Sequence, residues 1–323
     1  MTEKTVRFDR LFRRVMISAV LAAVAYLAFS LWVGWRDVAM AVARVGVAGL
    51  AVALALSLTN YILRFIRWQM YLRALGSHIP NGPSALIYLA GFAFTTTPGK
   101  VGELLRGIFL HKRGTPYLQS TAAFVSERLS DLVAMAILVL PGLWLLSKGL
   151  AIAGGVALIS GLVFLALAAH ESVFRKLTTW IDLFPGRLRD LLAKVLALIG
   201  EAKRCHGRGL MASATGLSLL AWGAEAIAFA LVLKLLGIEV PLATAVFIYA
   251  ASMIAGALSF LPGGLGGAEA TMIGLLALYG APNAESVAAT ILIRFTTLWF
   301  AVALGILSSV AGRRALLTPA SVT

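Results

Sequence analysis

Cysteine is nearly absent from this sequence, since Cys205 is the single one in 323 residues. One cysteine excludes an internal disulfide and any cysteine-cluster metal site. The four histidines fall in predicted loops without metal-ligand spacing, so we expect no bound metal and no other cofactor. No nucleotide-binding motif is present, so we expect that this chain does not itself use ATP.

Charge is also scarce: 13% of the residues are charged, against about 25% in an average soluble domain. Hydrophobic residues make up 60% of the chain. Apolar runs of about 20 residues, the length that crosses a bilayer, recur throughout. The sequence therefore predicts an all-α, polytopic membrane protein. Basic cytoplasmic loops account for the net charge of +14, so we expect membrane lipids as partners and no nucleic acid.

Six apolar segments have the length of full membrane spans, and two further apolar regions are broken in the middle. The full spans are predicted at 15–33, 45–63, 120–146, 150–169, 210–236 and 286–311. The broken regions are 84–110 and 242–280, interrupted by "TTTPGKVGE" and "SFLPGGLGGAE". Each is either two full spans or a re-entrant hairpin of two half-helices. In both cases the chain leaves on the side that it entered.

Lys and Arg are distributed unevenly over the predicted loops, and this sets the orientation. The N-terminus 1–14, the loop 170–209 and the tail 313–323 are basic, whereas the loop 281–286 has no Lys or Arg. By the positive-inside rule, both termini are cytoplasmic and the two broken regions enter from opposite faces. We expect the bacterial inner membrane as the location. Within the loop 170–209, the segment "RLRDLLAKVLALIGEAKR" predicts an amphipathic helix, which lies either along the membrane interface or in water as a connector.

The two broken regions share residues at the same spacing. In each, a Pro-Gly pair precedes a glutamate, and an arginine follows that glutamate by 25 residues, from Glu103 to Arg128 and from Glu269 to Arg294. We infer an inverted repeat within one transmembrane domain over 15–312. Repeat 1 covers about 45–146 and repeat 2 about 210–311.

Charged residues within predicted spans are the candidate site, because a charge at mid-bilayer costs about 2.5–3.5 kcal/mol and must face a partner, the bundle interior or water. Glu127 and Asp131 are spaced i, i+4 and share one helix face, and Glu103 and Arg106 can pair at i, i+3. Glu225 is placed mid-span without an obvious local partner, and either pairs with an arginine of the other repeat or carries a proton. Arg64 and Arg67 lie at the end of their predicted span, where we expect them to snorkel.

The breaks themselves resemble ligand-binding helix ends. Thr97 and Pro98 predict an N-cap and a first helical residue, which would place a positive helix end deep in the membrane. In the second break, the four glycines among residues 263–267 allow backbone amides to approach a ligand closely. Broken helices whose ends meet an anionic substrate occur in transporters, and phosphate suits such an end.

The segments "PGKVGELLR", "ERLSDL", "LPGGLGGAEA" and "ILIRFTTLW", in this order, resemble the lysylphosphatidylglycerol-synthase transmembrane or flippase-like family over roughly residues 15–312. This resemblance implies a membrane protein that moves lipids between leaflets, among them aminoacylated phosphatidylglycerol, hopanoids or polyprenol-linked sugars. The functional positions that it implies are Pro98, Gly99, Gly102, Glu103, Arg106, Glu127, Arg128, Asp131, Pro262, Gly263, Gly264, Gly267, Glu269 and Arg294, to which we add Glu225. Bifunctional members continue into a soluble domain that makes the aminoacyl lipid. This chain ends at Thr323, so we expect no synthase activity.

The leading hypothesis is a lipid translocase with a charged cavity between two inverted repeats, in which Glu103, Glu269, Arg128 and Arg294 are the central polar residues. One alternative is a proton-coupled transporter for a small solute, with Glu225 or Asp131 as the proton carrier. Another is a membrane-embedded transferase that acts on lipid carriers, and a third is a scaffold for a separate lipid-modifying enzyme.

Overall fold

The computed structural model describes residues 3–97, 103–143, 179–180 and 185–312. Within these ranges the chain is helical and has no strand, as the composition predicts. Helical stretches long and apolar enough to cross a membrane are Ala39–Ala74, Arg208–Leu235 and Asn283–Ala311. The predicted span 150–169 and the candidate residues Pro98, Gly99 and Gly102 lie outside the described residues.

The first half begins with one long helical stretch, α1 (Glu3–Ala74), that covers the first two predicted spans. Gly46 lies at the start of the second predicted span and has a φ of 66°. L-residues rarely adopt this left-handed conformation, and it does not continue a right-handed helix. Gly46 therefore interrupts the regular helical geometry of α1. Helix α4 (Tyr117–Leu143) overlaps the predicted span 120–146 and carries two of the buried acids described below, Glu127 and Asp131.

Both apolar regions predicted to be broken are broken in the structure. The first consists of α2 (Asn81–Phe92) and α3 (Arg106–His111). The second consists of α7 (Leu242–Leu258), a 3₁₀ turn (Pro262–Gly264) and α8 (Gly267–Leu278). At about 1.5 Å per residue, helices of the length of α2 or α8 reach only about 18 Å, well short of a bilayer core of about 30 Å.

The remaining helices are α5 (Gly186–Arg204), α6 (Arg208–Leu235), α9 (Asn283–Arg294) and α10 (Phe300–Ala311), with a π turn (Phe295–Trp299) between the last two. The predicted amphipathic helix is thus confirmed as α5. It packs against α4 and buries Leu196 and Ala202. Its apolar residues Leu188, Leu191 and Val195, spaced i, i+3 and i+7, remain exposed.

Helices of the first half of the chain pack against helices of the second half. The later part of α1 lies along α6, where the Asn60 amide donates to the Ala221 carbonyl at 2.9 Å. Helix α4 of the first half packs on α7 of the second, and α10 of the second half packs on α2 of the first. Gly142 and Gly305 allow these last two approaches: an added Cβ would lie 2.0 Å from Phe247 Cβ and 2.1 Å from the Ala93 nitrogen, respectively. These crossings surround the charged residues with helices from both halves.

Candidate functional site

Seven charged side chains from α1, α3, α4 and the turn before α3 contact one another inside the helix bundle. We call this set the inner charge cluster. It holds four arginines and three acids, all buried except for one partly exposed arginine: Arg64, Arg67, Glu103, Arg106, Glu127, Arg128 and Asp131. It brings together every described candidate residue that the sequence placed in the first repeat.

The two acids of α4 face the same way, as their spacing predicts, and the residue that they share is Arg67. Its Nη1 lies 2.5 Å from Asp131 Oδ1, and its Nη2 lies 3.9 Å from Glu127 Oε1. Arg67 also donates to the Ser218 hydroxyl on α6. The side chain of Arg67 has no exposed surface, so this guanidinium ties α1, α4 and α6 together at the centre of the cluster.

Arg106 holds the first break against α4. Its Nη2 donates to Glu127 Oε2 at 2.8 Å and to Glu103 Oε2 at 3.4 Å, which confirms the predicted i, i+3 pairing. Its Nε donates to the Glu103 carbonyl at 3.1 Å. The guanidinium lies over the rings of Trp68 and Tyr88, 4.4 and 5.3 Å from their centroids. Such stacking lowers the cost of burying a cation.

Arg64 and Arg67 do not snorkel, and the prediction that they do was wrong. Both are buried, and Arg64 Nη2 lies 3.8 Å from Asp131 Oδ2. The Arg64 guanidinium stacks on Trp222 at 5.3 Å. They are the site residues that sequence reasoning missed. The available signal was their spacing: three residues apart, both arginines lie on the face of α1 that also carries Asn60, a buried polar residue one turn earlier.

Arg128 is the partly exposed residue of the cluster. Its side chain is 25% exposed, and its Nη2 lies 3.3 Å from Asp131 Oδ2 and 3.7 Å from Glu103 Oε2. The pair at the 25-residue spacing is therefore an ion pair. Several buried guanidinium nitrogens make no hydrogen bond within the described residues: Arg64 Nε, Arg67 Nε and Nη2, and Arg128 Nε and Nη2. The cluster thus retains donor capacity that its own acids do not use.

The second pair at the 25-residue spacing, Glu269 and Arg294, is also an ion pair. Both of its side chains also form hydrogen bonds with the backbone of the second break. Arg294 Nε donates to Glu269 Oε1 at 2.7 Å, and its Nη2 donates to the Gly263 carbonyl at 2.7 Å. Glu269 Oε2 in turn accepts the Gly266 N–H at 2.7 Å and caps α8. We expected amides of this break to face a ligand. The Gly266 amide instead serves Glu269, because the carboxylate lies three residues into the helix, where it reaches back to the cap.

The glycines of the second break are required by its backbone. Gly263, Gly264 and Gly266 have φ values of 64°, 68° and 85°, a region that residues with a Cβ rarely adopt. Pro262 begins the 3₁₀ turn and Gly267 begins α8. An added Cβ on Gly267 would lie 2.8 Å from Ser259 Cβ. These residues shape a sharp turn that lets α7 and α8 pack side by side.

A π turn follows Arg294 directly, at Phe295–Trp299. A π turn contains one extra residue and leaves helix carbonyls without their usual partners, and such turns are frequent at functional sites. Here the Tyr61 hydroxyl of α1 donates to the Thr297 carbonyl. Tyr61 also packs on Phe92 and Phe300, with ring centroids 5.1 and 5.9 Å away.

Glu225 is buried on α6 and accepts a hydrogen bond of 2.5 Å from the Tyr249 hydroxyl of α7. This contact joins the two helices of the second half on which Glu225 and Tyr249 lie.

The tips of the two breaks touch each other. A Cβ built on Gly263 would lie 3.6 Å from Thr96 Cα and 3.4 Å from Leu298 Cδ2. The hydroxyl of Thr97 donates to the Phe94 carbonyl at 2.8 Å. The helix start predicted at Pro98 lies outside the described residues, and the described helix α3 begins at Arg106. The breaks of both halves thus meet within the same helix bundle.

No group of three or more His, Cys, Asp or Glu side chains in the described ranges is arranged to hold a metal ion. The acids of the inner charge cluster face guanidinium groups instead. An arrangement of this kind holds and orients anions or zwitterions, since guanidinium groups form paired hydrogen bonds with carboxylates and phosphates.

The comparisons with known proteins agree with this membrane architecture. The family model described as "Lysylphosphatidylglycerol synthase TM region" matches residues 15–305. Two UPF0104 membrane proteins of Methanothermobacter thermautotrophicus are 24% and 23% identical over 90% and 92% of this chain, and the alignments cover 91% and 93% of those proteins. A UPF0104 membrane protein of Pyrococcus horikoshii is 22% identical over 85% of this chain and 90% of its own length. The chain belongs to the lysylphosphatidylglycerol synthase transmembrane-region family of membrane proteins.

Proposed function

We propose that this protein is a lipid translocase that moves a lipid with a polar or anionic headgroup across the membrane. The candidate cargoes are a phospholipid, aminoacyl-phosphatidylglycerol, a hopanoid or a polyprenyl-phosphate-linked lipid. The observation that carries the proposal is the inner charge cluster. Four arginines and three acids lie among apolar helices, all but Arg128 are buried, and several guanidinium nitrogens make no hydrogen bond within the described residues. Buried charges without a functional partner are costly, so such a cluster points to a polar ligand.

The headgroup would enter at Arg128, while the acyl or prenyl tails remain in the lipid. Movement across the membrane would come from alternating exposure of the two broken regions, whose tips touch at Thr96 and Gly263. We propose that these regions are re-entrant hairpins of an inverted repeat. The short half-helices, the packing of the two halves against each other and the two ion pairs at equal spacing support this arrangement.

The proposed orientation keeps both termini and α5 on the cytoplasmic side of the cytoplasmic membrane. Helix α5 ends at Arg204 and the apolar helix α6 begins at Arg208, so the end of α5 lies close to the membrane boundary. Its exposed Leu188, Leu191 and Val195 suit an interfacial position with the apolar face toward the lipid. We propose transport rather than catalysis as the activity, with lipid modification left to a separate enzyme.

The test is translocation of a fluorescent phosphatidylglycerol in reconstituted vesicles, read as dithionite-accessible dye over time. Arg128→Ala should reduce the rate at least tenfold, because Arg128, the partly exposed arginine of the cluster, would be the first contact of the headgroup. Arg208→Ala, which removes an exposed arginine at the start of α6, is the matched control and should behave as wild type. Unchanged translocation by a correctly folded Arg128→Ala variant would defeat the proposal. Uptake of a soluble solute without lipid movement would favour the proton-coupled transporter instead.

A further inference from the structure

More positive charge surrounds Asp131 than its single carboxylate can neutralise. Arg67 Nη1 contacts its Oδ1 at 2.5 Å, and Arg128 Nη2 and Arg64 Nη2 approach its Oδ2 at 3.3 and 3.8 Å. The indole N–H of Trp222 donates to Oδ1 at 2.9 Å. Three guanidinium groups from two helices and one indole thus converge on a single side chain, which is itself buried.

The other acids of the cluster offset this charge in part. Glu127 and Glu103 accept hydrogen bonds from Arg106 and also lie 3.9 Å from Arg67 and 3.7 Å from Arg128, respectively. The cluster as a whole keeps four arginines against three acids. Asp131 Oδ2 makes no hydrogen bond within the described residues, although two arginines approach it. The buried Arg67 keeps Nε and Nη2 without a hydrogen bond in the same part of the chain. Guanidinium nitrogens and a carboxylate oxygen without a hydrogen bond therefore lie side by side around Asp131.

A phosphate group fits this arrangement better than a carboxylate does. It offers more acceptor oxygens, and guanidinium groups bind it through paired, charge-assisted hydrogen bonds. The comparison with Arg294 is informative, because that arginine already donates to Glu269 and to the Gly263 carbonyl. The spare donors thus belong to the first half of the molecule, in which Arg128 also provides the exposed edge.

We propose that Arg64, Arg67 and Arg128 form a phosphate-binding site and that Asp131 occupies it as an internal counter-anion until the ligand arrives. The proposal rests on the proposed function and specifies it: the recognised group is the phosphate of the lipid rather than an amine or a sugar. Ligand phosphate would take over the contacts of Arg128 and Arg64 with Oδ2, while Trp222 keeps Asp131 on the far side of the site. Asp131 thereby competes with the ligand and sets its affinity.

Binding to the purified protein in detergent tests this directly, with short-chain phosphatidylglycerol, diacylglycerol of the same chain length and inorganic phosphate as the three probes. Asp131→Asn should bind phosphatidylglycerol about tenfold more tightly or better, since it removes a negative charge a few ångströms from the phosphate. It should not change the affinity for diacylglycerol, which lacks phosphate. Asp190→Asn, which removes an exposed carboxylate from α5, should change neither affinity. Arg67→Gln should weaken phosphatidylglycerol binding.

Equal or weaker phosphatidylglycerol binding by a folded Asp131→Asn variant would overturn the proposal. If that variant does not fold, Trp222→Phe replaces it: the substitution keeps the charge but releases the carboxylate from its indole donor, and affinity should again change for phosphatidylglycerol alone. An unchanged affinity there overturns the proposal as well. Inorganic phosphate binding as tightly as the lipid would assign the site to a soluble anion. Tighter binding by Asp131→Asn together with no lipid movement in vesicles would refute translocation and leave this site standing.

Discussion

Arg128 and Arg294 each follow a glutamate by 25 residues, yet the structure predicts opposite consequences when each is replaced by methionine. Arg294→Met leaves Glu269 mostly buried without its 2.7 Å partner and removes the donor to the Gly263 carbonyl. Loss of one partner from a buried ion pair costs about 3–5 kcal/mol. Arg128→Met removes two looser contacts of 3.3 and 3.7 Å, and the acids that it leaves keep Arg106, Arg67 and Arg64. We expect a cost of about 1 kcal/mol or less for this second substitution, within the range of weak ion pairs.

The measurement is the free energy of unfolding of each variant in mixed micelles, by titration with sodium dodecyl sulfate, alongside lipid translocation in vesicles. Arg294→Met should lose stability, and adding Glu269→Gln to it should restore part of the loss, because the orphaned carboxylate is then neutral. Arg128→Met should keep its stability and lose translocation. Equal stability of the two single variants would refute the assignment of a structural role to one arginine and a binding role to the other.

Three further predictions test packing, the Glu225 contact and a buried thiol. Gly305→Ala should destabilise by about 1–3 kcal/mol through overpacking, because the new Cβ would lie 2.1 Å from a backbone nitrogen. Gly216→Ala, with nothing within 4 Å of its new Cβ, should stabilise α6 by about 0.5–1 kcal/mol. The stabilities of both glycine variants are measured by titration with sodium dodecyl sulfate. Tyr249→Phe should cost about 1.5–3 kcal/mol, since it removes a hydrogen bond of 2.5 Å to the buried Glu225 carboxylate. Burial raises the pKa of the Cys205 thiol to about 11. Alkylation of this thiol by maleimide at pH 7 should therefore be about 100-fold slower than that of an ordinary thiol, and the alkylation rate should increase with pH up to about 11. Rapid labelling at pH 7 would contradict this.

The helices and their breaks were predictable because each depends on local sequence. Apolar runs of spanning length set the long helices. The Pro and Gly residues in 95–102 and 259–267 predicted the two breaks, since these residues weaken a helix wherever they occur. The amphipathic period of 187–204 predicted α5 for the same reason. The equal spacing from Glu103 to Arg128 and from Glu269 to Arg294 predicted that these residues have corresponding places in the two repeats. In the structure each glutamate forms an ion pair with its arginine.

The partners across the bundle were not predictable, since they depend on how distant helices pack. Arg64 and Arg67 were expected to reach outward from a helix end, but α4 and α6 enclose them and supply Asp131 and Ser218. The glycine-rich turn departs from the prediction at Gly266. The flexibility of the turn was evident from the sequence, whereas the hydrogen bond from the Gly266 amide to Glu269 follows from the geometry of the turn.

The charge balance of the two ion-pair sites indicates that they have different roles. Glu269 and Arg294 are matched one to one, and their remaining groups satisfy the backbone of the turn, so this pair has the character of a structural lock. The inner charge cluster is unmatched, with four arginines against three acids and buried nitrogens that lack a hydrogen bond within the described residues. Apolar residues of similar volume often pack at least as stably as buried charges. Stability alone therefore gives no reason for the cluster, whereas an anion that completes its hydrogen bonds does.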